Sequence, residues 1–283
     1  MKKVILSSFH SCSLDALECE GVEPDRILSF DSHIDTMLLG IHEEVLSMIN
    51  DNRSLRYAFT DSGTHTLMTK AFPHTDIDIV TPRVCLEGNI ALVQNRFPEI
   101  FNFSTETEAI RVFLEFSKKA FNLNIKLSPP KDPVAFSSLL SSDSIVDIDV
   151  DYFADLQNEC YIPRIGPQAK LHDFGNPERT LRLIRGTKPN IITFSESKVS
   201  SLNDPNSKTN YLLNRLKSMG YMIETFFLYE SDEQAFEYLN KLSEFETLVK
   251  QKEGTLDISD DNTLDRQNQA ISDSVKEFFS AIH

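Results

Sequence analysis

The chain has 283 residues, of which 40% are hydrophobic and 25% are charged, as in an ordinary globular protein. Its formal net charge is −15, and a surface this acidic repels phosphate backbones and anionic lipids. The composition therefore predicts no nucleic-acid partner and no membrane partner. It is compatible with a metal ion or a cationic small molecule as ligand.

The cysteines and the N-terminal segment bear on the cellular compartment. The four cysteines, Cys12, Cys19, Cys85 and Cys160, form no CxxC pair, so no structural zinc knuckle is predicted. The apolar run near the N-terminus is too short for a signal peptide, and no segment reaches the roughly 18 apolar residues of a membrane span. We therefore expect a cytoplasmic protein with reduced thiols.

Apolar runs and helical patterns alternate along the chain. Strands are predicted within residues 2–7, 26–33, 55–63, 144–153, 190–197 and 221–229, and helices within 13–20, 42–51, 106–121, 177–186 and 209–220. The strand runs are continuously apolar, which is typical of strands buried on both faces. The pattern predicts an α/β fold, a three-layer αβα arrangement with a mostly parallel central sheet.

The last fifty residues have a different character. Residues 231–283 contain helical periodicity after Ser231, a residue type that favours a helix N-cap, and then a polar stretch and a second helical pattern. We interpret residues 1–283 as a single domain, with 231–283 as a C-terminal helical addition.

Potential metal ligands follow several of the predicted strands. These residues are His10 after the first strand, Asp31, His33 and Asp35 after the second, Asp147, Asp149 and Asp151 in the run 144–153, and Glu196 after the run 190–197. Ligands of parallel sheets bind outside the carboxyl ends of the strands. Three aspartates at alternate positions of an apolar strand would repel one another unless protonated or bound to cations. The pattern therefore favours a metal site over a polar turn.

Three of these stretches resemble the metal-binding motifs of the arginase/agmatinase (ureohydrolase) family, which is related in fold to the histone deacetylases. "SSFHS" is similar to the family's GGDHS-like turn, "DSHID" to its DAHxD strand end, and "DIDVD" to its SxDxD strand. The resemblance covers about residues 1–230 in order and implies an arginase/deacetylase-like fold.

The resemblance implies two divalent metal ions held by six residues. His10 and Asp35 would bind one ion, His33 and Asp151 mainly the other, and Asp31 and Asp149 would contact both. Carboxylates and imidazoles without thiolates suit Mn²⁺, with Zn²⁺ as the alternative. The activity implied is hydrolysis of a non-peptide C–N bond in a guanidine, amidine or amide, through a hydroxide that bridges the two ions.

Two further residues are given roles by the resemblance. Glu196 would hold the cationic group of a small-molecule substrate, and His42, in "GIHEEVLSMI", would transfer protons. His65 and His74 are rival proton-transfer residues, and a solvated helix N-terminal residue is the alternative role of His42. Family members commonly form trimers or hexamers, which makes a homo-oligomer an open alternative to a monomer.

The chain also departs from the family pattern. The Asp-Pro that usually follows SxDxD reads "YFADL" and the polar stretch after DAHxD reads "TMLLG". The resemblance would also require an extra strand before the first motif, and none is expected in the given sequence. Two alternatives therefore stay open. One is a deacetylase-like amidohydrolase with a single zinc, although that family has His at the position of Asp151; the other is a non-catalytic descendant of the fold that still binds metal.

Overall fold

The computed structural model describes residues 2–7, 10, 12–31, 64–82, 105–121, 123–128, 133–153, 176–195 and 208–226. Several sequence predictions lie outside these residues: the helix 42–51, the strand 55–63 and the C-terminal addition 231–283. So do four of the candidate site residues, His33, Asp35, His42 and Glu196.

The described residues form a parallel β-sheet connected by helices. The strands are β1 (Lys3–Ser7), β2 (Arg26–Phe30), β3 (Asp76–Pro82), β4 (Leu123–Ser128), β5 (Ile145–Asp149), β6 (Ile191–Ser195) and β7 (Met222–Thr225). The α-helices are α1 (Cys12–Cys19), α2 (Thr64–Ala71), α3 (Glu106–Phe121), α4 (Pro177–Thr187) and α5 (Lys208–Ser218), and two 3₁₀ helices span Pro133–Leu139 and Val150–Phe153.

The strand order is β4-β3-β2-β5-β6-β1-β7, and every neighbouring pair is parallel. The predicted α/β class and parallel sheet are thereby confirmed. Four elements were missed by the sequence analysis, namely α2, β3, β4 and the 3₁₀ helix Pro133–Leu139. Conversely, the apolar run 144–153 ends as a strand at Asp149 and continues as a 3₁₀ helix, so Asp151 does not extend the strand.

The two faces of the sheet carry different side chains. Because successive strand residues point to opposite faces, Leu28 and Phe30 share one face and Ser29 lies on the other. Leu28 and Phe30 belong to a buried apolar cluster with Leu181 and Ile184 of α4. Ser29 instead contacts α2, and α2 packs against α1. Helices α2 and α4 therefore cover opposite faces, which gives a helix–sheet–helix arrangement.

The strand order places a topological switch point between β2 and β5. From β2 the chain continues to β3 on one side, and from β5 it continues to β6 on the other side. In open parallel sheets a crevice forms at such a point, outside the carboxyl ends of the two strands. None of the helices in the ranges given above is both long enough and apolar enough to cross a bilayer.

Candidate metal centre

A row of polar side chains crosses the middle of the sheet on the face covered by α2. Ser29 of β2 lies opposite Asp147 of β5, and Asp147 lies opposite Thr193 of β6. The Ser29 hydroxyl donates to Asp147 Oδ2 at 2.7 Å, and the Thr193 hydroxyl donates to Asp147 Oδ1 at 2.6 Å. The sheet register thus supplies one hydroxyl to each carboxylate oxygen of a fully buried aspartate.

Asp147 is held in its ionised form by these surroundings. Burial alone raises the pKa of the Asp147 carboxyl, because a charge is poorly solvated in the interior. The charge of His10 and the hydrogen bonds from His10, Thr193 and Ser29 outweigh that effect and move the pKa far below its ordinary value. Asp147 is therefore a buried carboxylate that accepts hydrogen bonds and donates none.

His10 connects this row to the carboxyl edge of the sheet. It follows β1, and its carbonyl accepts a hydrogen bond from the Ser13 amide at the start of α1. Its imidazole is fully buried, with Nε2 2.7 Å from Asp147 Oδ2. The other ring nitrogen, Nδ1, lies 3.3 Å from Asp31 Oδ2 and 3.7 Å from Asp149 Oδ2.

Asp31 and Asp149 stand at the switch point itself. Asp31 is the first residue after β2, and its amide donates to the Val80 carbonyl of β3 at 3.2 Å, which fixes the backbone there. Asp149 is the last residue of β5. Both carboxylates are buried, and they approach the same nitrogen of His10 from two neighbouring strands.

His65 enters the site from α2. Its Nε2 lies 3.0 Å from Ser29 Oγ and 3.9 Å from Asp31 Oδ2. The His65 and His10 rings are 5.3 Å apart and nearly perpendicular. His65 is fully buried, so it belongs to the interior of the site. The rival residue His74 is exposed and lies in the turn before β3, at the amino ends of the strands and away from the candidate site.

The cluster has the composition and spacing of a metal site. One donor atom from each of His10, Asp31 and His65 lies within 4.8 Å of the others, and Asp149 is a neighbour of His10. Donors that share a divalent ion at about 2.1 Å lie about 3 to 4 Å apart. The separations of 3.3 Å and 3.7 Å from His10 Nδ1 to Asp31 and Asp149 fall in that range. Imidazole and carboxylate donors suit Mn²⁺ or Zn²⁺.

The structure thus brings together three of the six predicted ligands, His10, Asp31 and Asp149. Asp151 lies in the 3₁₀ helix directly after Asp149, and its side chain is outside the described part. Sequence reasoning missed the contributions of Ser29 and Thr193, because only the strand register reveals them. It named His65 without placing it, since nothing local to "SGTHT" indicates that this segment folds back onto β2.

Comparisons with protein-family models, with curated proteins and with solved structures found no match to this chain.

Proposed function

We propose that this chain is a metal-dependent hydrolase of the arginase/deacetylase type, which cleaves a C–N bond other than a peptide bond in a small molecule. The observation that carries the proposal is the arrangement of His10. One ring nitrogen is hydrogen-bonded to the buried carboxylate Asp147, and the other faces Asp31 and Asp149 at the switch point. A carboxylate behind an imidazole is the usual support of a metal-bound histidine.

Charge supports the same proposal. Three buried carboxylates, Asp31, Asp147 and Asp149, converge on His10. Its imidazolium form can balance one negative charge, and concentrating the others in the interior is unfavourable without a cation. A divalent ion held by His10, Asp31 and Asp149 would offset them, and when bound it would polarise a substrate and lower the pKa of water.

The finer parts of the proposal rest on the motif resemblance. They are the arginase-like fold, the second ion with His33, Asp35 and Asp151 among its ligands, and Glu196 as the residue that holds a cationic substrate group. His65 is now favoured over His42 as the proton-transfer residue, because it lies 3.9 Å from Asp31 in the buried site. A histidine beside the metal ligands could act as the general acid that protonates a leaving amine.

A single-ion amidohydrolase is the second candidate. The observation that favours it is the compactness of the described group, in which His10, Asp31 and His65 could surround one ion. The number of metal ions bound per chain distinguishes the two candidates, because the proposal requires two ions and this alternative requires one.

The test combines metal analysis with a hydrolysis screen. We expect the chain purified with Mn²⁺ to retain two ions and to release urea, ammonia or acetate from some member of a panel of guanidines, amidines and acetylated amines. Asp31→Asn should lose metal and turnover together. Asp143→Asn is the matched control, because it changes an exposed carboxylate before β5, at the amino ends of the strands. Unchanged metal content in Asp31→Asn would show that the site is placed wrongly.

A further inference from the structure

The hydroxyl of Ser29 lies between two partners. Asp147 Oδ2 is 2.7 Å away and His65 Nε2 is 3.0 Å away. A serine hydroxyl has one proton to donate and can accept from other donors. Asp147 also accepts from Thr193 and contacts His10, so it acts purely as an acceptor. The Ser29 proton therefore points to Asp147, and the contact with His65 requires a proton on His65 Nε2.

The same reasoning shows which ring nitrogen of His10 donates to Asp147. Its Nε2 lies 2.7 Å from the Asp147 carboxylate and must carry the proton of that hydrogen bond. The imidazolium form carries a second proton on Nδ1, and when a cation displaces that proton the lone pair is on Nδ1. Nδ1 is the nitrogen that faces Asp31 and Asp149, so the lone pair is directed to the place where a cation would bind.

The two histidines beside Asp31 are therefore not equivalent. The His65 nitrogen nearest to Asp31 is Nε2, at 3.9 Å, and a nitrogen that carries a proton cannot be a metal ligand. Geometry alone would group His10, Asp31 and His65 as three ligands of one ion. The hydrogen bonds separate them, because His10 directs Nδ1 towards Asp31 and Asp149 whereas His65 directs the N–H of Nε2 towards Ser29.

We propose that Ser29 and Asp147 are positioning residues that set the tautomers of both histidines, so that His10 offers Nδ1 to a cation while His65 remains a hydrogen-bond donor outside the coordination sphere. This inference rests on the proposed function for the metal, although the tautomers can be measured without it. The chain of hydrogen bonds runs from His65 through Ser29 to Asp147, which also accepts from His10. Ser29 and Asp147 are fully buried cross-strand neighbours, so water does not compete for these bonds.

Thr193 provides a matched control for Ser29. Both hydroxyls donate to Asp147 from neighbouring strands, at 2.6 Å and 2.7 Å. Thr193 binds Oδ1, whereas the bond to His65 is made by Ser29. Ser29→Ala and Thr193→Val each remove one hydroxyl bond from the same carboxylate. Only Ser29→Ala removes the link to His65.

The first experiment uses the unsubstituted full chain, labelled with ¹⁵N at histidine. Two-bond ¹H–¹⁵N spectra report which ring nitrogen carries a proton. The Nε2 proton of His65 is identified by an NOE to the Ser29 Cβ protons, and that of His10 by an NOE to the Asp147 Cβ protons. Without metal, both rings should have a proton on Nε2. With Zn²⁺ as the probe, the Nδ1 signal of His10 should move to a coordinated position while His65 keeps its Nε2 proton. A bare or zinc-bound Nε2 in His65 would overturn the inference.

The second experiment measures Mn²⁺ affinity by titration calorimetry. Asp147→Asn keeps the shape but replaces the carboxylate that holds the His10 Nε2 proton by a neutral amide with one acceptor oxygen, so affinity should fall about 10- to 100-fold. Ser29→Ala and Thr193→Val should resemble each other in affinity, with only Ser29→Ala altering the His65 spectrum. Equal losses of affinity in His65→Gln and His10→Gln would show that His65 is a ligand, and an unchanged affinity in Asp147→Asn would contradict the role of Asp147.

The outcomes distinguish this inference from the proposed function. A chain with the expected spectra and no hydrolase activity would retain the inference and lose the function. A chain that hydrolyses C–N bonds while His65 coordinates the metal through Nε2 would retain the function and lose the inference. The spectra of the unsubstituted chain decide the tautomers even if a buried substitution prevents folding.

Discussion

Asp147 and Tyr221 are two buried residues whose pKa values move in opposite directions. Burial favours the neutral form of both, but the charge of His10 and three hydrogen bonds reverse the effect for Asp147. For Tyr221 burial prevails and raises the pKa to about 12. Its hydroxyl donates to the Pro189 carbonyl at 2.8 Å. Tyr221 directly precedes β7, at the amino ends of the strands, whereas the candidate metal ligands lie at the carboxyl ends.

The first prediction concerns the alkaline stability of the fold. The folded-state pKa of Tyr221 lies above its ordinary value of 10.0. The contribution of the neutral Tyr221 phenol to the free energy of unfolding is therefore fully present below pH 10. It is lost as the pH rises towards about 12. A shift of this size corresponds to about 2 to 3 kcal/mol of unfolding free energy. Urea unfolding of the unsubstituted chain and of Tyr221→Phe, measured between pH 8 and pH 11.5, provides the test.

Below pH 10, Tyr221→Phe should be less stable by about 1 kcal/mol, because it loses one hydrogen bond. Above pH 10 the difference should shrink and then reverse, since phenylalanine does not ionise. The Lys2 ammonium lies 5.6 Å from the Tyr221 ring centroid, and a phenyl ring keeps that contact. A stability difference that is constant across the pH range would contradict the prediction.

At the scale of single elements, α4 shows how local sequence sets the ends of a helix. Asn176 accepts hydrogen bonds from the amides of Glu178 and Arg179, and Pro177 occupies the first turn. The helix ends at Thr187 and is followed by the C-cap residue Lys188, which has φ 55° and ψ 52°. This left-handed conformation is usually taken by glycine, because a Cβ atom is strained there.

The second prediction is that Lys188→Gly stabilises the fold. Glycine removes the strain at the positive φ while the Lys188 amide still donates to the Ile184 carbonyl. We expect a gain of about 0.5 to 1 kcal/mol in the free energy of unfolding. Arg182→Gly, at an exposed position within the same helix, should instead cost about 1 kcal/mol. Chemical denaturation of both variants measures the two effects, and a loss of stability in Lys188→Gly would refute the account of this helix end.

The sequence was sufficient to predict helices and strands that have a strong local pattern. It was insufficient for strands whose stability depends on residues of the neighbouring strands. Helices α1, α3, α4 and α5 begin and end within two residues of the predicted bounds, and the strands at the centre of the sheet lie within the predicted ranges. In contrast, β3 begins with alternating acids, and Asp78 is compatible with a buried strand only because Arg26 and Lys126 of the adjacent strands face it. The edge strand β4 alternates apolar and polar residues. Its short pattern was not distinguished from a loop.

The candidate site divides in the same way. His10, Asp31 and Asp149 could be predicted because they follow or end strands, and parallel strands bring their carboxyl ends to one edge. The network around Asp147 could not, because Ser29 and Thr193 become its partners through the register of three strands. The end of β5 was also misjudged. Tyr152 turns into the apolar cluster and stacks edgewise on Phe30 at 5.2 Å, so the chain leaves the sheet after Asp149.

At the scale of the whole molecule, the candidate metal centre joins segments that are distant in sequence. His10 follows β1, Asp31 follows β2 and Asp149 ends β5, whereas β1 is separated from β5 by β6 in the sheet. A cation bound by all three would hold the carboxyl edge of the sheet together and offset the charge of its carboxylates. The unfolded chain does not bring these residues together. Metal binding should therefore favour the folded state by mass action.

The third prediction follows from this linkage. At a free Mn²⁺ concentration of about 100 times the dissociation constant, each bound ion should raise the free energy of unfolding by about 2.7 kcal/mol, which corresponds to about 5 to 10 °C in Tm for a chain of this size. Asp31→Asn should show no such rise, because it removes one ligand and one charge. Asp143→Asn should retain the full rise, because that exposed carboxylate lies at the amino edge of β5. Calorimetric scans with Mn²⁺ and with a chelator measure the difference, and equal shifts in the two variants would mean that the stabilising ion binds elsewhere.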